Sequence, residues 1–415
     1  MGRGRSCRYY RLLDYQIRRC YVLIGGVNMS FTLKPAIKDN FIDREPLLDE
    51  MITTLTNRKI DMGFALIGPR RVGKTSILRE ITHRLANRKD VVVVYFCLWD
   101  LVENNLREFS RQLIKTLLVG FRGRISVKYK LKRLLQVPVE TIYEFLKATG
   151  ISLRILDEIE IELRRKDRPL DANMLVERIF ALTEELGREY RVRVILIIDE
   201  FPSLIDLTNG KKLGEGVIRK IRTVHETLEN TVLCISGSIR KTMEIVALSS
   251  SSAFYRQFII KRIEPFDELL SGQLLEKNLK RRITSSAIEA AYNLTKGIPF
   301  YLQLLGRQLE RTDVEPINKE VIERVFEEIL TEEGDIIFSE EFYRLSDRER
   351  ATLRAMAGME KSKLNEISRR LEEGANVVSK YLAYLIIKGM VRKEERGVYK
   401  IADPVFSSWL KEKFR

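Results

Sequence analysis

The chain has 415 residues, 45% hydrophobic and 32% charged, with a formal net charge of +15. That length calls for two or three domains, and no apolar run reaches the 18 residues of a membrane span, so a soluble, multidomain, cytoplasmic protein is expected. Four cysteines without a C-x-x-C pair and two isolated histidines, His83 and His225, offer no metal-ligating or nucleophilic pattern and fit a reducing compartment. The positive charge suits nucleic acid as a partner. Abundant charge with scarce His, Cys and Trp also suits the surface ion-pair networks of a thermophile.

Residues 1–28 are basic, with Arg3, Arg5, Arg8, Arg11, Arg18 and Arg19 against Asp14, and show little periodicity. They read either as a nucleic-acid arm or as an extension upstream of a true start at Met29. The second is preferred, because Gly25-Gly26-Val27 can be encoded by a purine-rich stretch like a ribosome-binding site. From about residue 40, helix and strand alternate: a helix at 45–57, a strand ending at Ile67, a helix to about 87 and a strand at 91–98. This is the βαβ pattern of a parallel sheet. Between the first strand and its helix, Gly68 to Thr75 read G-P-R-R-V-G-K-T, a complete phosphate-binding loop in the setting such a loop requires. Gly68, Pro69, Arg70, Arg71, Val72 and Gly73 curl around the phosphates, and Ser76 continues the helix whose positive end faces them. Lys74 reaches the β/γ phosphates and is expected to face solvent without ligand. The Thr75 hydroxyl ligates Mg²⁺.

Residues 101–190 are largely helical, with heptad-like spacing at Leu153, Leu156, Ile159 and Leu163, and look like an insertion. Within them Arg122, Arg124, Lys128, Lys130, Lys132 and Arg133 form either a solvated face or a nucleic-acid path. The sheet resumes at Val192, and Val194 to Ile198 is an apolar strand ending in Asp199-Glu200, the arrangement of a Walker B element. Asp199 would hold Mg²⁺ through water, and Glu200 would polarise the water that attacks the γ-phosphate, which favours hydrolysis over retention. Thr231 to Ser238 is a further strand ending in small polar residues. Ser238 or Ser236 is a candidate γ-phosphate sensor there, against a plain serine-rich turn. No Asn-Lys-x-Asp tetrad follows, so ATP is preferred to GTP.

After Pro265 the chain is helical, and Thr295 to Leu302 open an amphipathic helix with a Gly297-x-Pro299 turn. Taken with Phe41 to Glu45, the Gly68 loop, Asp199-Glu200, the small polar strand and Asp403-Pro404-Val405-Phe406 with Trp409, the chain resembles the archaeal ATPases of the AAA+-related STAND class over residues 31–415. The resemblance implies that Pro299 touches the nucleotide from a helical lid and that Arg44-Glu45 lie near the adenine. Arg256 stands where that family reads Y-G-R, but no glycine separates it from Tyr255, so the arginine role is not carried over.

Ser346-Asp347-Arg348-Glu349 is a capping box. Helices at 364–371 and 376–388 and a hairpin at 390–401 follow, which together describe a winged helix. Its candidate recognition helix carries Lys380 and Lys388 beside Tyr381, Leu382, Tyr384 and Leu385, so docking to DNA and to protein both stay open. The expected fold is an α/β P-loop (ASCE/AAA+-like) parallel-sheet core at 31–265 with a helical insertion, a helical lid at 266–340 and a C-terminal winged-helix domain at 341–415. The expected function is Mg²⁺-dependent ATP binding and slow hydrolysis working as a conformational switch. The alternative is a DNA-binding regulator or a replication or transposition loader that uses ATP as a state marker.

Overall fold

The computed structural model describes residues 31–42, 44–121, 153–164, 168–238 and 257–414. The basic N-terminal stretch, the 122–133 run and Arg256 lie outside them. In chain order come α1 (Glu45–Thr56), β1 (Gly63–Gly68), α2 (Lys74–Leu85), β2 (Val91–Cys97), α3 (Leu106–Gly120), α4 (Leu153–Arg164), α5 (Ala172–Glu189) and β3 (Arg193–Asp199). A small ribbon, β4 (Thr208–Asn209) with β5 (Lys211–Lys212), precedes α6 (Gly214–His225), β6 (Thr231–Ser238) and β7 (Phe258–Arg262).

Strands β1, β3 and β6 are buried along their whole length, as expected when both faces of a parallel sheet are covered. The sheet runs β2-β3-β6-β1-β7, all parallel among the described residues. Side chains divide between its faces with period two. Phe64, Leu66, Ile195, Ile197, Val232 and Cys234 pack against α1 and α2, while Ala65, Ile67, Val194, Leu196, Leu233 and Ile235 pack against α3, α5 and α6. The stretch that reads as an insertion therefore supplies much of one layer of the sandwich. The apolar sides of α3 and α5 face the sheet and also meet each other, and α4 packs on α5.

A second helical unit follows: α7 (Glu268–Asn278), α8 (Ser285–Thr295), α9 (Pro299–Leu309) and α10 (Lys319–Glu332). Gly297 has φ 68°, and a Cβ there would stand 1.8 Å from the Phe266 carbonyl oxygen, so the turn into α9 admits only glycine. Phe31 packs into this unit, and the chain then crosses α2, where Ala36 N–H donates to Ser76 Oγ (3.1 Å) and Lys38 N–H to Glu80 Oε2 (2.8 Å).

The C-terminal region comprises α11 (Gly334–Tyr343), α12 (Asp347–Met356), β8 (Ser362–Lys363), α13 (Leu364–Leu371), α14 (Ala375–Ile387), β9 (Val391–Glu395), β10 (Val398–Ile401) and α15 (Pro404–Lys413). Its strands form an antiparallel sheet of order β8-β10-β9, and the reciprocal capping box at Ser346 and Glu349 is present. Phe338 and Phe342 of α11 pack with Phe406 and Trp409 of α15, so this core begins before residue 340. Among the described residues no helix is long and apolar enough to cross a membrane.

Candidate active site

Three strands end at one edge of the sheet and deliver the site. β1 leads into the loop, β3 ends in Asp199, and β6 ends in Ser236 to Ser238, beside the crevice where open α/β sheets take ligands. Gly73 adopts φ 93° immediately before α2, a conformation that releases the chain from the loop into the helix. A cleft of about 910 Å³ opens there, lined by Gly73, Lys74, Thr75 and Ser76 from the loop and first turn, Glu200 from the end of β3, and Pro299 from the start of α9.

Lys74 departs from the expectation that it faces solvent. It is buried, and its ammonium donates to the carbonyl oxygens of Gly68 (3.0 Å) and Pro69 (2.7 Å). The chain satisfies the charge with its own loop. Burial holds the Lys74 pKa down at about 8, while Glu200 and Asp199 pull it upward. Below that pH the lysine is already protonated and phosphate affinity should be flat. Above it, binding must take up a proton, so ATP affinity should fall by about tenfold per unit. Titration of ATP affinity between pH 7 and 10 checks the sign, and a flat profile above pH 8 would dissociate Lys74 from phosphate binding.

Asp199 is buried and saturated with donors. Its Oδ2 accepts from Thr75 Oγ1 (2.8 Å) and Tyr95 O–H (2.6 Å), and its Oδ1 accepts from Ser236 O–H and from the Glu200 N–H (3.1 Å). Of the two candidate serines, Ser236 therefore meets the carboxylate. Ser238, paired with Gly68 across the strands, lines a second cavity with Pro69, Arg70 and Arg71. Tyr95 escapes notice in the sequence; its only signal is a hydroxyl near the end of an otherwise apolar strand. The Arg79 guanidinium stacks 4.6 Å over its ring. Burial beside Asp199 pushes the Tyr95 phenol well above its usual range and raises the Cys97 thiol to about 12, so both stay neutral.

Thr75 and Asp199 are hard oxygen donors side by side, the set that Mg²⁺ takes when waters and phosphate oxygens complete its shell. Among the described residues no cluster of three or more His, Cys, Asp or Glu could hold a metal alone. Glu200 has φ 55°, and burial raises its pKa against the pull of Lys74, so it is a more basic carboxylate than an exposed one.

Arg44 does not join the cleft lining. It grips the loop from behind: Nη1 donates to Val72 O (2.9 Å), Nη2 to Glu264 O (2.8 Å), and the guanidinium lies 5.1 Å over the Phe266 ring. The side chain of Val72, within the loop, is fully buried in the core shared with α1 and α2. The other loop arginines turn toward the C-terminal region. Arg70 pairs with Glu341 of α11. Arg71 Nη1 donates to Asp403 Oδ2 (3.0 Å) and Tyr301 O–H (3.0 Å), and its guanidinium lies 5.3–5.6 Å over Phe338, Phe300 and Tyr301. The other Asp403 oxygen caps α15 through Val405 N–H and Phe406 N–H.

Comparison with known proteins agrees with this geometry. A family described as an ATPase domain predominantly from Archaea matches residues 41–305, well over half of the chain, and a domain of unknown function matches residues 335–410. No curated protein matches the sequence. Among solved structures, the Walker-type ATPase of Pyrococcus abyssi superposes with a TM-score of 0.65 at 22% identity, covering 92% of this chain and 100% of that one. The Aeropyrum pernix ORC2 protein in ADPNP–ADP complexes superposes with a TM-score of 0.54 at 15% identity, covering 92% of this chain and 97% of that one. These likenesses concern the fold. With an intact phosphate loop, a carboxylate pair at the end of β3 and a family match over most of the chain, the protein belongs to the archaeal ATPase-domain family of P-loop ATPases.

Proposed function

We propose that the chain binds MgATP in the cleft between the phosphate loop and α9, hydrolyses it slowly, and uses the nucleotide state to move its C-terminal region, a winged helix, relative to the sheet. The observation that supports the switch is the bond from Arg71 inside the loop to Asp403 at the start of α15, two residues 332 apart in sequence. Nucleotide phosphates and the C-terminal region thus compete for one short loop. Lys74 neutralises phosphate charge, Thr75 and Asp199 hold the metal, Glu200 takes the proton of the attacking water, and Ser236 keeps Asp199 oriented. When bound, Mg²⁺ supplies charge neutralisation at the phosphate oxygens. Pro299 at the opening of α9 faces the nucleotide from the other side.

Coupling predicts a specific result. Asp403→Asn preserves a capping side chain on α15 but removes the charge that holds Arg71. Distances between labels on α6 and α14 should change with MgATP in the wild-type chain. In Asp403→Asn the ligand-free distance should already lie toward the MgATP value. An identical MgATP response in both proteins would sink this route.

The partner we favour is a protein. The exposed positions of α14 are Asn376, Val377, Lys380, Ala383, Tyr384 and Ile387, Lys388 at its end is paired with Glu349, and Arg392 and Lys393 on β9 are offset by Glu394 and Glu395. A DNA-reading helix needs more cations and amides than this. The net charge of +15 supports a second reading, a nucleotide-dependent DNA regulator or loader. Steeply salt-dependent duplex binding that changes between ATP and ADP would select it.

A further inference from the structure

The phosphate loop carries two consecutive arginines with different tethers. Arg71 is locked by a carboxylate, a phenol and three aromatic rings. Arg70 lines the cleft together with Lys74, Thr75 and Glu200 and is held by the single carboxylate of Glu341, which lines the same cleft. The side chains of the Arg70–Glu341 pair are 34% and 27% exposed, so opening it sacrifices little.

We infer that Arg70 is a catalytic arginine supplied in cis, which leaves Glu341 for the γ-phosphate and stabilises the transition state of hydrolysis. The inference rests on the ATPase reading above. A polyphosphate carries several negative charges and presents the oxygen geometry that a guanidinium grips in two places, so it outcompetes one carboxylate for Arg70. The same phosphates repel Glu341, which makes the exchange directional. In the reaction, the oxygen of water bonds to the γ-phosphorus while the bond from that phosphorus to the β–γ bridging oxygen breaks. The bonding pair leaves with ADP, the water proton passes through Glu200 to the released phosphate or solvent, and the products are ADP and inorganic phosphate. Charge redistributes among the γ-phosphoryl and bridging oxygens during that step, and the guanidinium acts there. An arginine from the loop itself spares the chain the need to borrow one from a neighbouring subunit. Because Glu341 sits on α11, the motion of the C-terminal region also decides whether Arg70 is free.

The test compares the wild-type chain with Arg70→Ala, Arg70→Lys and Glu341→Gln. It measures affinity for a non-hydrolysable ATP analogue, affinity for ADP–aluminium fluoride, and single-turnover rate. Arg70→Ala should lose up to about tenfold in affinity for the analogue, the share of the contact made in the ground state, while losing about 10² in both turnover and ADP–aluminium fluoride affinity. Arg70→Lys should recover part of both, and Glu341→Gln should raise the rate severalfold. Unchanged turnover in Arg70→Ala, or equal losses of analogue and transition-state-mimic affinity, would overturn the inference while leaving the ATPase reading intact. Failure of the wild-type chain to bind the analogue would overturn that reading and the inference with it.

Discussion

Lys74→Ala is expected to lower MgATP affinity by about 10³, because removing one partner of a desolvated charge pair typically costs about 3–5 kcal/mol. The geometry makes the reason concrete. Lys74 is buried, and its ammonium already faces two loop carbonyls, so phosphate oxygens replace those partners without bringing a distant side chain into the site. Burial also makes the charge unfavourable in the ligand-free chain, as the pKa of about 8 records. Replacing it with a neutral methyl therefore removes a cost along with two hydrogen bonds, and melting temperature should move by only about 2–4 °C per kcal/mol of the difference, as for a large domain. Calorimetric titration with a non-hydrolysable analogue reads the affinity, and thermal denaturation reads the fold. Unchanged affinity would remove Lys74 from the phosphate site, whereas a collapse of the thermal transition would make it a structural residue first.

The parts of this site that follow local rules are legible in the sequence. Gly68 to Thr75 announce a phosphate loop because glycine spacing, a lysine and a hydroxyl are needed at fixed offsets, and Val194 to Ile198 announce a doubly covered strand because only such a strand is apolar at every position. What depends on register is less legible. Ser236 and Ser238 lie on the same face of β6, so alternation cannot choose between them. Pairing of Ile235 with Ile198 brings Ser236 level with Asp199 and leaves Ser238 opposite Gly68. What depends on distant chain segments is not legible at all. Glu341 meets Arg70 across 271 residues and Asp403 meets Arg71 across 332, and no local pattern in either stretch names its partner. The motif around Asp403 could be noticed in sequence, but its division of labour, one oxygen for the α15 cap and one for the loop, emerges only when α9, α11 and α15 surround Arg71. The helices within 101–190 illustrate the same limit. Their amphipathic spacing is visible, yet it cannot say that the apolar side of α3 and α5 covers the main sheet.

Glu200→Gln should leave MgATP affinity within about threefold and lower turnover by about 10³, the middle of the range for removing a positioned general base. Glutamine keeps the size and shape of the side chain but cannot accept the proton of water. The backbone argues that this carboxylate is placed deliberately: φ 55° is an unfavourable conformation for a non-glycine residue, and it is sustained by the Glu200 N–H bond to Asp199 Oδ1 and by the turn at Phe201–Asp206. Burial raises the Glu200 pKa, so on acidification it protonates at a higher pH than an exposed glutamate would. Activity present above that pKa is lost as pH falls through it, which gives the wild-type rate an acid limb. Glu200→Gln has no group left to titrate there, so its residual rate should lack that limb. Single-turnover rates from pH 4 to 8 in both proteins decide the matter. Equal rates would reject the role of Glu200 in activating water, and an acid limb that persists unchanged in Glu200→Gln would assign the titration to another group.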